Sequence, residues 1–197
     1  MDKFFFTKQT ECSVFDYICN MNKLKPKERV MEVSSKLFRE QGFNSTGINQ
    51  IVQEANVAKS SFYDHFKSKD FLAIEYLNNR HMQWFQGLKN HINGYRTSKE
   101  KILKSFDYLK SMNEKENFGG CVFLNMMSEL KHGNKESYEI IKNHKIDLQN
   151  FFKDIIKDDD KSFIIYMLFE SCFIESQAFR SQEIINRTIN YLNSEIL

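Results

Sequence analysis

Cysteine and histidine side chains are the first candidates for chemistry, because thiolates and imidazoles bind metal ions and act as nucleophiles or bases. The four cysteines are Cys12, Cys19, Cys121 and Cys172. None of them shows C-x-x-C spacing or lies beside a pair of histidines, so a zinc site has little support. No base is placed by spacing beside Cys121, and the sequence contains no glycine-rich phosphate loop. The sequence therefore predicts neither an enzyme nor a protein that needs a metal or another cofactor.

A second group of polar side chains surrounds residue 60. Phe62 and Phe66 are four residues apart, so they share one face of a short helix. The opposite arc of that helix carries Ser60, Ser61 and Tyr63. A helix of this size fits the major groove of B-DNA, where short hydroxyl side chains can bond base edges or phosphates. This arc predicts double-stranded DNA as a partner.

Neighbouring side chains extend the same pattern. Lys59 is long enough to reach a guanine or a phosphate, and Tyr63 and Lys69 suit the phosphates that set the register on DNA. Thr46 lies at the start of the helix before the one that carries Ser60. There its hydroxyl and the free N–H groups of the helix N-terminus favour a phosphate. Asp64 would repel a phosphate unless it accepts a hydrogen bond from a cytosine amino group.

Short helices must position these side chains. Pro26 suits the first turn of a first helix, and Gly42 supplies the left-handed residue that ends it. Thr46 can cap a second helix, Asn56 tolerates the tight turn that follows, and Ser68 caps a longer fourth helix. Three helices in fewer than 50 residues, the last two joined by a tight turn, indicate a helix-turn-helix.

Length and composition agree with a helical protein. The chain has 197 residues, 41% of them apolar and 27% charged, so it is too hydrophobic for disorder and too polar for a membrane bundle. One proline and seven glycines leave long helices uninterrupted. The net charge is +2, and the surplus lies in residues 23–70, which hold 9 Lys or Arg against 6 Asp or Glu. We expect an all-α fold whose basic segment meets an anionic partner.

Long helices separated by polar breaks follow the helix-turn-helix. They are expected at about 69–93, 98–113, 120–132, 135–157, 160–178 and 182–195. The longest apolar run, around Phe163–Ile174, is interrupted by Glu170 and is too short to cross a membrane. Together with the absence of a secretory signal pattern, this predicts a cytoplasmic protein.

Two blocks of residues carry a resemblance to a known family. They are G-F-N-S-T-G-I at 42–48 and V-A-K-S-S-F-Y-D-H-F-K-S-K-D at 57–70, with Ile51 and Ala55 between them. This pattern closely resembles the TetR family of transcriptional regulators. Ala58 and Asn56 depart from the family pattern, where Ser and Gly are common, without changing the outward face.

The resemblance implies a homodimeric DNA-binding regulator, usually a repressor that a small-molecule effector releases. It places DNA contacts at Thr46, Lys59, Ser60, Ser61, Tyr63, His65 and Lys69. The expected parts are an N-terminal arm or extension at 1–22, a helix-turn-helix DNA-binding domain at 23–70, and a helical ligand-binding and dimerisation domain at 71–197.

The predicted helix at 160–178 is apolar nearly all round, whereas a surface helix needs only one apolar stripe. This helix must therefore be buried on two sides. A two-fold interface of four helices, in which each subunit contributes this helix and the last one, would bury both sides. This position matches where the family dimerises. The residues expected in this interface are Phe163, Met167, Phe173, Ile174, Ile185 and Ile189. A helix buried wholly within one chain is the alternative. Two-fold symmetry predicts a near-palindromic operator.

Large side chains in the middle of the chain could wall an effector pocket, although the same spacing also describes a plain core. Residues 119–130 resemble the G-C-x-x-x-N-x-x-x-E stretch of one branch of the family. Asn125 and Glu129 share a helix face. That face would meet a ligand's polar end if it is turned inward, and only water if it is turned outward. The residues expected to bind an effector are Trp84, Phe106, Phe123, Asn125, Met126 and Glu129.

The fourth helix, about Ser68–Ile92, would couple the two functions. A ligand wedged against Trp84 or Phe85 would tilt this helix and change the separation of the two recognition helices. Two alternatives stay open: a regulator that senses redox state through Cys121 or Cys172, and a helical interaction protein that has lost specific DNA binding.

Overall fold

The computed structural model describes residues 24–130 and 134–196, and the expected N-terminal arm at 1–22 lies outside this part. Within it the chain forms nine α-helices and a final π-helical turn, which confirms the all-α class. The helices are α1 (Pro26–Glu40), α2 (Ile48–Glu54), α3 (Lys59–His65), α4 (Lys69–Ile92), α5 (Ser98–Lys115), α6 (Val122–Glu129), α7 (Lys135–Ile156), α8 (Asp159–Phe179) and α9 (Glu183–Tyr191), followed by the turn at Leu192–Ile196.

Helices α1–α3 form a small three-helix unit around buried apolar side chains. Ile51 and Phe62 are completely buried at its centre. The unit attaches to α4 through an edge-to-face contact between Phe38 and Tyr76, whose ring centroids are 5.3 Å apart. Helix α4 therefore carries the three-helix unit on its N-terminal half.

The connections within the three-helix unit mostly follow the predicted chemistry. Gly42 ends α1 with φ +88°, and Asn56 makes the turn between α2 and α3 with φ +50°. Ser68 caps α4, because its Oγ accepts the N–H of Phe71 at 3.3 Å.

The prediction that Thr46 caps α2 is wrong. The N-cap residue is Gly47, and no side chain in the described part of the chain caps this helix. Thr46 is completely buried, and its hydroxyl donates to the carbonyl of Gly42 at 2.7 Å instead. The hydroxyl therefore closes the turn between α1 and α2.

Helices α4–α9 form the helical body. Phe169 on α8 lies at its centre, with ring centroids 5.1 Å from Phe106 and 5.2 Å from Phe152. Helix α8 packs against α7 and α9 and buries one face in this core while it exposes apolar side chains on another. Within residues 24–130 and 134–196, no helix is long and apolar enough to cross a membrane.

Candidate nucleic-acid interface and regulatory core

Helix α3 presents a polar arc to solvent. Lys59, Ser60 and His65 are exposed, and Tyr63 has 46% of its surface exposed, whereas Ser61 is half-buried. The arc is held in place from inside, because Phe62 and Phe66 on the opposite face are buried. The outward orientation that the spacing predicts is therefore present on this helix.

A shallow depression of about 380 Å³ lies between the start of α2 and the outer arc of α3. Its lining residues are Gly47, Ile48, Asn49, Lys59, Tyr63 and Lys69. The structure thus brings together three side chains that were predicted to contact DNA from different points of the sequence.

Lys69 lies at the edge of this depression with its ammonium group already engaged. Its Nζ donates to the carbonyls of Phe43 at 2.9 Å and Thr46 at 3.0 Å, and lies 4.2 Å from the centroid of the Phe43 ring. With Thr46 buried in the same turn, both side chains hold the α1–α2 connection together. A direct phosphate contact from either stays a prediction.

The aromatic residues predicted to bind an effector lie in the core of the body. Trp84, Phe106 and Phe123 are buried, and the Phe123 ring stacks on His144 with centroids 3.6 Å apart. Burial lowers the pKa of His144 to about 2, so its imidazole is neutral near pH 7. The cavity beside Trp84, Phe123 and His144 measures only about 10 Å³, which is space for one water molecule at most.

Two largely buried ion pairs border the same core. Arg80 on α4 pairs with Glu116 at 2.6 Å, and Lys145 on α7 pairs with Glu170 at 2.5 Å. The Lys145 Nζ is also 3.4 Å from the Sγ of Cys121. Burial alone would lower the pKa of Lys145, but its two partners raise that pKa above the ordinary value.

These ion pairs were not predicted from the sequence. One signal for them was present, because Glu170 interrupts an apolar run and a buried charge requires a partner. Among the described residues, the Nε of Arg80 and the Oε1 of Glu170 are buried and have no hydrogen-bond partner. Both residues line the small cavity.

The remaining predicted effector residues line a different space. A crevice of about 800 Å³ separates the end of α1 from the α5–α6 region, and Asn125, Met126 and Glu129 lie along it. The Nδ2 of Asn125 donates to the carbonyl of Gly119 at 2.8 Å. Glu129 accepts the backbone N–H of Asn44 at 2.6 Å. The shared face of Asn125 and Glu129 therefore contacts the junction with the three-helix unit. The sequence predicted either a face turned inward to a ligand or a face turned outward to water, and neither describes this position.

The residues predicted for dimerisation fall into two groups. Phe163, Met167 and Ile174 on α8 are 61%, 50% and 52% exposed, an unusual degree for large apolar side chains on one helix. Phe173 and Ile185 are buried in the core of the single chain, and Ile189 is half-buried. One apolar face of α8 is thus buried in the core of the chain, and a second apolar face is exposed and available to contact another surface.

A three-helix unit with an outward polar helix, carried on a helical body, defines a helix-turn-helix protein. Residues 30–76 match the family model described as bacterial regulatory proteins, tetR family. This match and the sequence blocks at 42–48 and 57–70 support a TetR-family transcriptional regulator.

Curated relatives agree with this assignment. The chain is 32% identical over 76 residues to the HTH-type transcriptional regulator QacR of Staphylococcus aureus, covering 39% of this chain and 40% of that one. It is 35% identical over 68 residues to YuxN of Bacillus subtilis, described as an uncharacterized HTH-type transcriptional regulator, covering 34% of this chain and 23% of that one. The matches thus span less than half the length of these relatives, which are transcriptional regulators and not enzymes.

The fold extends the likeness over the body. The crystal structure of a TetR transcriptional regulator from Legionella pneumophila superposes with a TM-score of 0.76 at 18% identity, covering 88% of this chain and 98% of that one. The arrangement of α4–α9 is therefore that of the family fold.

Proposed function

We propose that this protein is a sequence-specific DNA-binding transcriptional regulator that acts as a homodimer on a near-palindromic operator. In this proposal it is a repressor that a small-molecule effector releases. The observation that carries the proposal is the outer arc of α3, where exposed polar side chains are held outward by two buried phenylalanines. A helix with this arc fits the major groove.

Each side chain has an expected role in this complex. Ser60 and Ser61 read base edges, because short hydroxyl groups let the helix approach the bases closely. Lys59, Tyr63 and His65 contact phosphates or bases at the groove walls. Lys69 and Thr46 contribute by keeping the α1–α2 turn in place beside the DNA, through the bonds described above.

The exposed row on α8 supports the homodimer. Phe163, Met167 and Ile174 leave large apolar surface open to water on one helix, and such patches mark interaction sites. A second copy of the chain would cover this row with the same row by two-fold symmetry. Two recognition helices would then face two half-sites of a near-palindrome.

Release by an effector that binds among the buried aromatic residues requires the body to open. The cavity beside Trp84 and Phe123 holds no more than one water molecule, so a larger ligand there would have to displace α4, α6 or α7. Because α4 carries the three-helix unit, such a displacement would move the recognition helix. Effector and operator would then weaken each other's binding by the same factor.

Selection of duplex DNA from a random pool tests the proposal. We expect recovery of one near-palindrome, bound more weakly as salt rises because phosphate contacts release counterions. The Ser60→Ala variant is expected to change the preferred base at particular positions, and Tyr63→Phe to weaken all sequences by a similar factor. Folded, dimeric protein that enriches no sequence in its effector-free form would overturn the proposal and favour an interaction protein.

Redox sensing is a second candidate, favoured by the contact between Cys121 and Lys145. A cysteine beside a lysine ammonium is a setting in which reactive cysteines occur. Cys172 lacks this setting, because burial raises the pKa of its thiol and its neighbour is the Thr188 hydroxyl. The thiolate form of Cys121 would attack one oxygen of hydrogen peroxide, the O–O bond would break as the S–O bond forms, and the leaving hydroxide would take a proton from Lys145 to give sulfenic acid and water.

The redox candidate is tested with peroxide-treated protein on the selected operator. If it holds, treatment changes operator affinity in the wild-type protein and not in the Cys121→Ser variant, with Cys172→Ser behaving as wild type. Equal affinity before and after oxidation of Cys121 would remove it.

A further inference from the structure

The last residue of α6 is bonded to the three-helix unit. Glu129 Oε2 accepts the backbone N–H of Asn44 at 2.6 Å, and the backbone carbonyl of Glu129 accepts the Nδ2 of Asn44 at 2.9 Å. Asn44 lies in the turn between α1 and α2, 85 residues away along the chain. Two hydrogen bonds between the same two residues fix the direction of the contact as well as its position.

The turn is shaped to receive the carboxylate. Gly42 has φ +88°, and a Cβ at this residue would lie 2.7 Å from Glu129 Oε1. Only glycine combines that backbone conformation with so close an approach. Gly42 therefore ends α1 and also makes room for the side chain that arrives from the body.

The contact gives the three-helix unit a second point of attachment. The first lies on α4, where Tyr76 packs against Phe38 and Glu75 pairs with Lys27 at 2.8 Å. The second lies on α6, beside the crevice of about 800 Å³. If the three-helix unit were attached only to α4, it could rotate about that contact. Attachment to both α4 and α6 restricts this rotation.

We propose that Glu129 is a specificity-determining residue that sets the angle of the three-helix unit on the body. Through that angle it sets the half-site spacing that the dimer accepts. The inference rests on the proposed function, since it requires a dimer with two recognition helices. Glu129 then acts through Asn44 and contacts no DNA itself.

Operators of altered spacing test this role. The duplex selected by the wild-type protein is compared with duplexes that have one base pair added or removed at the centre, which rotates and shifts one half-site against the other. The measured quantity is the ratio of dissociation constants for the shifted and the selected duplex. We expect Glu129→Ala to lower this ratio by about threefold to tenfold, the effect of a lost charge-assisted hydrogen bond.

Three further variants separate the contact from loss of charge or stability. Glu129→Gln keeps an oxygen that can accept the Asn44 N–H, so its ratio is expected to stay near that of the wild type. Asn44→Ala loses one of the two hydrogen bonds, so its ratio is expected to lie between those of the wild type and Glu129→Ala. Glu40 lines the same crevice at the end of α1, so Glu40→Ala removes a nearby carboxylate and should leave the ratio unchanged.

Amide hydrogen exchange provides a readout without DNA. Faster exchange of the Asn44 N–H is expected in Glu129→Ala and not in Glu40→Ala. A wild-type spacing ratio in folded Glu129→Ala, or unchanged exchange at Asn44, would overturn the inference. If no duplex is selected at all, the proposed function fails, and the exchange measurement still decides whether Glu129 holds the turn.

Discussion

At the scale of single residues, His144 shows how burial controls charge in the body. Its ring is buried against Phe123 and Trp84, and its Nδ1 lies 3.2 Å from the Nδ1 of His81. Burial is the main reason why its pKa falls from the ordinary 6.5 to about 2, followed by the positive charge of Lys145. The folded protein therefore holds a neutral imidazole at pH values where an unfolded chain would protonate it.

This depressed pKa predicts an acid-sensitive stability. Below about pH 6.5 the unfolded chain binds a proton at His144 that the folded chain cannot bind until near pH 2, so stability falls as pH falls. From pH 6.5 to 5 the contribution is about 1–2 kcal/mol. We expect the free energy of unfolding of His144→Phe, measured by denaturant unfolding, to change less between pH 6.5 and 5 than that of the wild type. His91→Gln, at an exposed histidine, should retain the wild-type slope, and an equal slope in His144→Phe would contradict the prediction.

Two glycines make a matched test of the α1–α2 connection. Gly42→Ala would strain a residue at φ +88° and crowd Glu129, so we expect a loss of about 1–3 kcal/mol in the free energy of unfolding. Gly47→Ala is the control, because Gly47 has φ −93° and open space around its Cα. Similar stability of the two variants in chemical denaturation would show that the turn has no strict need for glycine at 42.

At the scale of elements, the Arg80–Glu116 pair joins α4 to α5. The side chains are only 13% and 10% exposed, so neither charge is well hydrated. Glu116→Gln keeps the shape but leaves the guanidinium without its counter-charge, and we expect a loss of about 3 kcal/mol in unfolding free energy. The measurement needs a fixed protomer concentration, because association affects apparent stability.

An exposed ion pair provides the comparison for that variant. Glu139 and Lys142 are three residues apart on α7, and both side chains are 64% exposed. Water screens such pairs, so Glu139→Gln should have almost no effect on stability. If the two glutamine variants unfold alike, the α4–α5 pair is not a structural link.

Helix positions could be predicted closely because the signals are local. Helix α8 was expected at 160–178 and runs Asp159–Phe179, since the apolar period and the polar breaks lie within its own sequence. The outward arc of α3 followed from the spacing of Phe62 and Phe66 in the same way. Such features need no knowledge of distant residues.

The contacts that could not be predicted depend on residues far apart in sequence. The shared face of Asn125 and Glu129 was correct, but its neighbour is a turn 85 residues away, which no local pattern reveals. Thr46 was expected to cap α2 because threonine favours that position. Its hydroxyl finds the Gly42 carbonyl instead, because the turn folds back on α1.

At the scale of the whole molecule, the exposed row on α8 predicts how the chain associates. Phe163 is 61% exposed and Met167 is 50% exposed one turn further along the same face. Exposed apolar side chains of this size are unfavourable in water, and an isologous helix interface would cover both copies at once. A charge placed at the centre of such an interface would be buried without a partner.

If the proposed dimer forms through α8, Phe163→Glu is expected to weaken it. Sedimentation velocity over a range of concentrations should show a dissociation constant at least about tenfold higher than that of the wild type. Operator affinity should fall with it, because separated chains bind each half-site alone and lose the gain from linkage. Ile146→Glu is the control, since Ile146 is an exposed apolar residue, at 41%, that lies on α7 and not on α8. A dimer unchanged by Phe163→Glu but weakened by Ile146→Glu would move the interface from α8 to α7.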